Sequence, residues 1–401
     1  MRGDWRRVRI GELGRVVTGR TPRGNDKHHY GDAVPFLTPS DMDDRRSVDR
    51  PARHLSAFGA AELNRCLVPQ GVGVSCIGWQ MGKAVLIERP TITNQQINSI
   101  IIDPAVADRM FVYYALCSRR SEFFKLGAGG SRTPILNKGD FEKLPFVLPP
   151  VLEQLAIARI LGALDDKIEL NRKMTATLEA IARALFKSWF VDEPEADWRT
   201  GPLADWVDVL SGGTPSKSNA MLWGGSLKWI SPKAMTSIHA DECDDHVTEQ
   251  AVGRGTRIAP KGSTLVMVRG MGLHDGVRVS QAREDVTFNQ DVKALVPKHI
   301  EADLLLFAML DAQQDLHKRV ETSGHGTGKM PSDMLLVHPI TMPPREIQRE
   351  RVVHIAAMND RIAANRAESK NLARLRNELL PRLLSGELST ASGESLAQDE
   401  I

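Results

Sequence analysis

Two stretches of this chain carry apolar residues at alternating steps of three and four, the spacing of one face of a helix. In the first, Leu152 to Phe190, the stripe runs Leu161, Leu164, Ile168, Asn171, Thr175, Leu178. In the second, Glu346 to Leu384, it runs Ile355, Met358, Ile362, Asn365, Ser369, Leu372, each 194 residues after its counterpart. A Pro-Pro pair precedes both stretches, and good helix formers fill them, so each is predicted to be one long helix. An amphipathic helix lying on its own domain gives a similar stripe. Two matched stripes, each with one Asn at the same step, are explained more simply by mutual pairing in a coiled coil, with Asn171 and Asn365 fixing register.

The remaining sequence alternates more quickly. Short β-rich runs such as Val34 to Leu37 and Thr264 to Val268 are separated by Gly, Pro and Asn, so the parts 1–150 and 193–344 read as mixed α and β. Ala105 to Phe124 and Glu301 to Val320 are their best packing helices.

These two parts are copies of each other. Ile10 to Met42 aligns without a gap on Leu203 to Met235, and Val16, Gly19, Thr21, Pro22, Gly31, Pro39 and Met42 recur as Val209, Gly212, Thr214, Pro215, Gly224, Pro232 and Met235. Average composition gives roughly two chance identities over such a window. Asn94-Gln95 returns as Asn289-Gln290, Thr133 as Thr327, and Pro149-Pro150 as Pro343-Pro344. The duplication therefore runs nearly the whole length. The expected domains are 1–150, a helix in 151–192, 193–344, a helix in 345–388, and a flexible tail in 389–401. About 24 paired residues at 1.5 Å each make a rod of roughly 36 Å, near one turn of B-DNA. Antiparallel helices would put the two globular parts at opposite ends of it, related by a pseudo-twofold axis.

Composition changes this picture little. With 401 residues, 42% hydrophobic and 25% charged, the chain is ordinary globular material with room for two cores. No apolar run follows the Arg-rich start, so a cytoplasmic protein without membrane association is expected. Cys66, Cys76, Cys117 and Cys243 lack metal-ligand spacing and are expected to be free thiols, with no metal bound. Charge is more informative. Residues 1–150 hold 22 Lys/Arg against 15 Asp/Glu, whereas 193–344 hold 15 against 20. A polyanionic partner suits the first part, and bulk charge argues mildly against one for the second.

Certain loops carry candidate chemistry. Arg20, Thr21 and Arg23 in one copy, and Thr214, Ser216 and Lys217 in the other, combine Gly with hydroxyl and basic groups that can approach a phosphate backbone. Such a Gly-Thr-Pro stretch can equally be a plain turn. Arg132 and Thr133, and Thr327 and Lys329, lie in a second loop pair. The latter lacks the Gly-x4-Gly-Lys-Ser/Thr spacing of a nucleotide-binding loop, because Ser323 and Met330 occupy its end positions. Base reading requires paired donors and acceptors, above all Arg to guanine and Asn or Gln to adenine. Gln80, Arg269, Asn94, Gln95, Asn289 and Gln290 are the candidates. The recurring Asn-Gln pairs also fit a brace for the fold, while Gln80 and Arg269 follow strands and differ between copies. Trp79, Tyr30, Trp223 and Trp229 read as core or loop packing rather than base stacking.

The helical regions resemble those of the specificity subunit of type I restriction-modification systems. Pro149-Pro150, Glu153-Gln154, Ile157, Leu161, Asp165-Asp166-Lys167-Ile168 and Asn171-Arg172-Lys173 look like that family's central region, as do Leu185 to Asp192 and, in the second copy, Leu379 to Leu388. Ile347 departs from the pattern at the step held by Glu153. Thr18 to Pro22, Ser211 to Ser216 and the Asn-Gln pairs resemble the family's recognition-domain anchors. The resemblance implies an α+β protein: two duplicated target recognition domains joined by two long antiparallel helices. Each domain would read half of a bipartite target in double-stranded DNA. The helices would set the gap and dock two methyltransferase subunits, and through them the restriction-translocase subunits. It further implies no cofactor in this chain, with S-adenosylmethionine, ATP and Mg²⁺ belonging to the partners.

Two rival classes remain. An enzyme finds little support, because the eleven His are scattered and the Pro-Pro pairs follow Leu148 and Met342 rather than completing a methyltransferase motif. A coiled-coil scaffold without direct DNA recognition is the alternative that the acidic second domain favours.

Overall fold

The computed structural model describes residues 4–23, 27–43, 45–127, 135–192, 194–195, 197–322 and 326–398. The chain divides into two compact units, one formed by 1–170 with 368–401 and the other by 171–367. Both long helices contribute to both units.

In the first unit, Gly14–Thr18, Ile97–Ile102, Gly71–Ser75 and Ala84–Ile87 form a four-stranded antiparallel sheet in that order. A second sheet orders Arg53–Leu55, Tyr30–Leu37, Thr91–Thr93 and Leu67–Val68, its middle pair parallel. Arg6–Arg9 pairs with Pro145–Leu148, the strand that leads into the helix. The second unit repeats all three arrangements. Its sheets order Val207–Ser211, Val292–Pro297, Thr264–Met267, Val279–Gln281, and His246–Val247, Trp223–Ile230, Val286–Phe288, Ile258–Ala259. Arg199–Pro202 pairs with Pro339–Met342. The central strands are almost wholly apolar because they are buried on both faces.

The long helices span Val151–Lys187 and Arg345–Leu384. In the first unit Leu161 and Leu164 are buried in one cluster with Phe111, Val112, Leu372 and Leu379, and Ile168 packs on its edge. In the second unit Ile355 and Ile362 are buried with Ala182, Phe186 and Leu306, flanked by Leu178 and Met358. The stripe therefore joins the partner helix and the globular core at once, so the two readings of its periodicity both hold. In the first unit two contacts show the pairing to be antiparallel. Lys167 meets Glu368 and Asp165 meets Arg376 in the first, while Trp189 meets both Arg351 and His354 in the second. Asn171 and Asn365 are both buried.

Three expectations change. The helix anticipated over 105–124 is two, Arg109–Cys117 and Arg120–Gly127, and that over 301–320 is Ala302–Asp311 and Gln313–His317. Apolar periodicity continues across both breaks, so the pattern alone conceals them. The tail is not free coil: Thr390–Gln398 is a helix whose Gly393 packs on Leu383 and Ile160, with Arg159 paired to Glu394 at 2.9 Å. Burial of Gly393 and Ala397 explains why a polar-looking segment orders.

Candidate nucleic-acid interface

The Gly-Thr-Pro loop leaves the sheet edge at Gly19 and lies directly on the turn that follows Thr91–Thr93. Arg20 N–H donates to the Thr93 carbonyl at 2.9 Å. A Cβ on Gly19 would stand 2.2 Å from that carbonyl oxygen, so this approach admits only glycine. The second unit repeats it: Gly213 N–H donates to Phe288 O at 2.9 Å, and a Cβ on Gly212 would meet Phe288 O at 2.4 Å. Across each contact runs one side-chain bond. Thr21 Oγ1 donates to Gln95 Oε1 at 2.6 Å, and Thr214 Oγ1 to Gln290 Oε1 at 2.6 Å.

The two members of each Asn-Gln pair have separate duties. Asn94 is buried, its Oδ1 accepting from Gln96 N–H at 3.1 Å and its Nδ2 donating to Gln96 Oε1 at 3.0 Å. Asn289 does the same toward Asp291, at 3.1 Å for both bonds. The asparagines thus brace their own turns. Gln95 and Gln290 are exposed, and with Oε1 occupied by threonine their amide Nε2 remains to donate outward. Arg20, Arg23, Ser216 and Lys217 are exposed around the same loops. Trp223 Nε1 donates to Ser216 O at 3.1 Å and Trp229 Nε1 to Gly213 O at 3.0 Å, so these two indoles stiffen the second loop, as packing residues should.

Arg269 and Lys329 come together as directly opposed residues of a short ribbon formed by Arg269–Gly270, Gly328–Lys329 and Glu321–Thr322. Thr327 is half-buried at its end. Gln80 is half-buried in the turn after Gly71–Ser75, with its Oε1 enclosed. Arg132 and Thr133 fall outside the described residues. Trp79 differs from expectation: it is 80% exposed, its ring tilted against that of Phe124 at 5.9 Å between centroids. Tyr30 packs on Phe36 as anticipated.

Sequence reasoning missed the side chains that tie each globular part to its helix. Gln154, just inside the first helix, donates to Pro149 O at 2.8 Å and accepts from Asp108 N–H at 2.8 Å. Gln348 copies it, donating to Pro343 O at 2.9 Å and accepting from Glu301 N–H at 3.2 Å. Both are 1% exposed. About three helical turns later, Asp165 accepts from Tyr114 Oη at 2.7 Å and from Arg376 at 2.5 Å. At the matching step Asn359 donates to Asp303 at 2.6 Å and hydrogen-bonds His239 at 2.7 Å, while Arg366 grips Asp241 through two bonds of 2.9 Å. Burial holds His239 below its ordinary range. Burial works to raise the Asp241 carboxyl but is outweighed by the Arg366 guanidinium, so it titrates below its usual value. Burial also pushes the Cys76 thiol up to about 11, the behaviour of an inert core thiol. Among the described residues no group of three or more His, Cys, Asp or Glu could hold a metal ion, and no helix is long and apolar enough to cross a membrane.

The family described as type I restriction modification DNA specificity domain matches residues 2–180 and again 195–373. The chain belongs to that family. Two copies of the DNA specificity domain account for the duplication and for the twin Thr-Gln contacts. Membership makes the chain a DNA-specificity component of a type I restriction-modification system, a non-catalytic role. The specificity subunit of the MjaIX enzyme from Methanocaldococcus jannaschii is 25% identical over 410 residues, 96% of this chain and 94% of that one. The EcoR124I/EcoR124II specificity subunit from Escherichia coli is 29% identical over 61% of each chain. The crystal structure of the type I restriction-modification system S subunit from M. genitalium shares the fold. Its TM-score is 0.62 at 16% identity, over 94% of this chain and 96% of that one.

Proposed function

We propose that each specificity domain reads one half of a bipartite target in double-stranded DNA. In this reading the long helices set the gap between halves and dock two methyltransferase subunits, and restriction-translocase subunits join through these. The observation that carries it is the twin construction of the two units: the same glycine approach, the same Thr-to-Gln bond and the same bracketing glutamine, surrounded by exposed residues that differ. A shared frame with different contact residues is what reading two different half-sites needs. The loop hydroxyls, amides and basic side chains supply phosphate donors. Gln154 and Gln348 fix each domain's orientation on its helix, a precondition for a defined gap. The chain supplies recognition, and S-adenosylmethionine, ATP and Mg²⁺ chemistry falls to the partners.

The chain purified with its cognate methyltransferase subunits tests this by duplex binding against salt. The expected log-log slope is steeply negative, as release of several phosphate counterions requires. A flat slope favours the rival reading, a scaffold that does not touch DNA.

A further inference from the structure

The hydrogen-bond register reveals a correspondence between the units that side-chain identity hides. Val72 faces Ile100 as Thr264 faces Leu295, so over this strand the offset between copies is 192. At the strand's end Cys76 N–H donates to Gln96 O at 2.7 Å, and Val268 N–H donates to Asp291 O at 2.8 Å. Each acceptor lies two residues beyond the bracing asparagine. The next residue is therefore equivalent in the two units: Ile77 in the first, Arg269 in the second. Ile77 pairs antiparallel with Ile135, and Arg269 with Lys329. Gln80 is not the counterpart of Arg269.

The geometry is held constant while the chemistry is exchanged. Directly opposed residues of antiparallel strands project from one face. In the second unit that row presents Arg269 beside Lys329, both exposed, with Glu321 on the outer edge opposite Lys329. Among the described residues neither cation makes an ion pair with a carboxylate. Like charges set opposite each other destabilise a sheet, so the fold gains nothing from them. The other face of the same ribbon packs Gly328 against Leu273. In the first unit the equivalent row is apolar, Ile77 opposite Ile135, and Ile135 is 51% exposed. Ile77 is half-buried and Ile135 faces water, so this row likewise builds no core.

We infer that this cross-strand row is the specificity-determining row of each domain: Arg269 with Lys329 reads the N7 and O6 acceptors of a guanine, and Ile77 with Ile135 takes a thymine C5-methyl. The inference rests on the proposed half-site function. The major groove admits a two-stranded ribbon, and these two pairings are the ones its donor, acceptor and methyl pattern rewards. The row lies next to the exposed glutamine of each domain, close to where the loop donors would meet phosphate.

Methylome sequencing of a host expressing the chain with its cognate methyltransferase tests it. The wild-type motif is expected to contain a guanine in one half and a thymine in the other. Arg269→Ala should relax that guanine alone, and the double variant Ile77→Arg, Ile135→Lys should exchange the thymine for guanine, leaving the other half unchanged. Should the double variant fail to assemble with the methyltransferase, Arg269→Lys carries the test. It keeps the charge but loses the bidentate fork, so preference for guanine should fall about tenfold or more while low-salt binding holds. Unaltered motifs with a uniform drop in methylation would assign the row to phosphate contact and overturn the inference. A wild-type chain that methylates no split motif would instead overturn the functional reading beneath it.

Discussion

Thr21 donates its hydroxyl proton to Gln95 at 2.6 Å, and 193 residues later Thr214 makes the identical bond to Gln290. The bond crosses from the Gly-Thr-Pro loop to the turn braced by asparagine, and it orients an exposed amide. Replacing Thr21 or Thr214 with valine keeps the shape and removes the donor. A lost hydrogen bond of this kind costs about 1 kcal/mol of stability, so the melting temperature should fall by about 2 to 4 °C, and with its amide no longer held each variant should bind the duplex more weakly. Titration of each variant, in complex with methyltransferase, against duplexes mutated in one half-site checks it. Each variant should lose discrimination in its own half only.

Gln154 and Gln348 are more costly to remove. Leucine at either position leaves a buried carbonyl and a buried amide N–H without their partner, at about 1 to 3 kcal/mol each. Gln154→Leu should lower the melting temperature by several degrees and raise hydrogen exchange at the start of the Val151–Lys187 helix. A melting temperature within a degree of wild type would show that the bracket carries no stability.

The two units solve one packing problem in two ways, which makes a reciprocal test available. Arg376→Met strands the buried Asp165 carboxylate with Tyr114 as its remaining bonded partner, and breaking such a pair costs about 3 kcal/mol. The other unit holds the neutral Asn359 at the matching helical step. Adding Asp165→Asn to Arg376→Met should therefore recover most of the loss. Chemical denaturation of the single and double variants measures it, and no recovery would mean that Asp165 is not the charge at issue.

Much of this was legible in the sequence, and the reasons for the rest are physical. Glycine, asparagine and proline anchors repeat because backbone geometry demands them, and the helical stripes repeat because burial does. The Thr21–Gln95 contact was within reach, since both residues belong to recurring pairs. The equivalence of Ile77 and Arg269 was not. It is a hydrogen-bond register, carried by main-chain atoms that leave no signature in residue type, and the offset drifts between 192 and 195 along the copies. Gln154 was visible as part of a family-like stretch, but nothing in its neighbours named Asp108 as its partner. Trp79 misled because tryptophan is usually packed, and its exposure depends on a turn that the sequence does not specify.

Acid should weaken the second unit before the first. Burial holds His239 below its ordinary value of 6.5, with Arg283 and Arg366 opposing its protonation and Asn359 and Asp241 favouring it. A depressed histidine contributes stability that is present above the unfolded value and is lost as pH falls through the folded one. Stability should therefore decline below about pH 6.5, and His239→Gln should flatten that decline. Hydrogen exchange in residues 345–367 from pH 7 to pH 5 reads it directly; an unchanged slope in the variant would assign the decline elsewhere.

The claim that two domains on shared helices read a split target is tested most directly by lengthening those helices. One heptad inserted in each, after Leu170 and after Ala367, adds roughly 10 Å, the rise of about three base pairs. Methylome sequencing with the cognate methyltransferase should show both half-sites unchanged and the gap longer by about three base pairs. Methylation of the original motif with its gap intact would contradict the account.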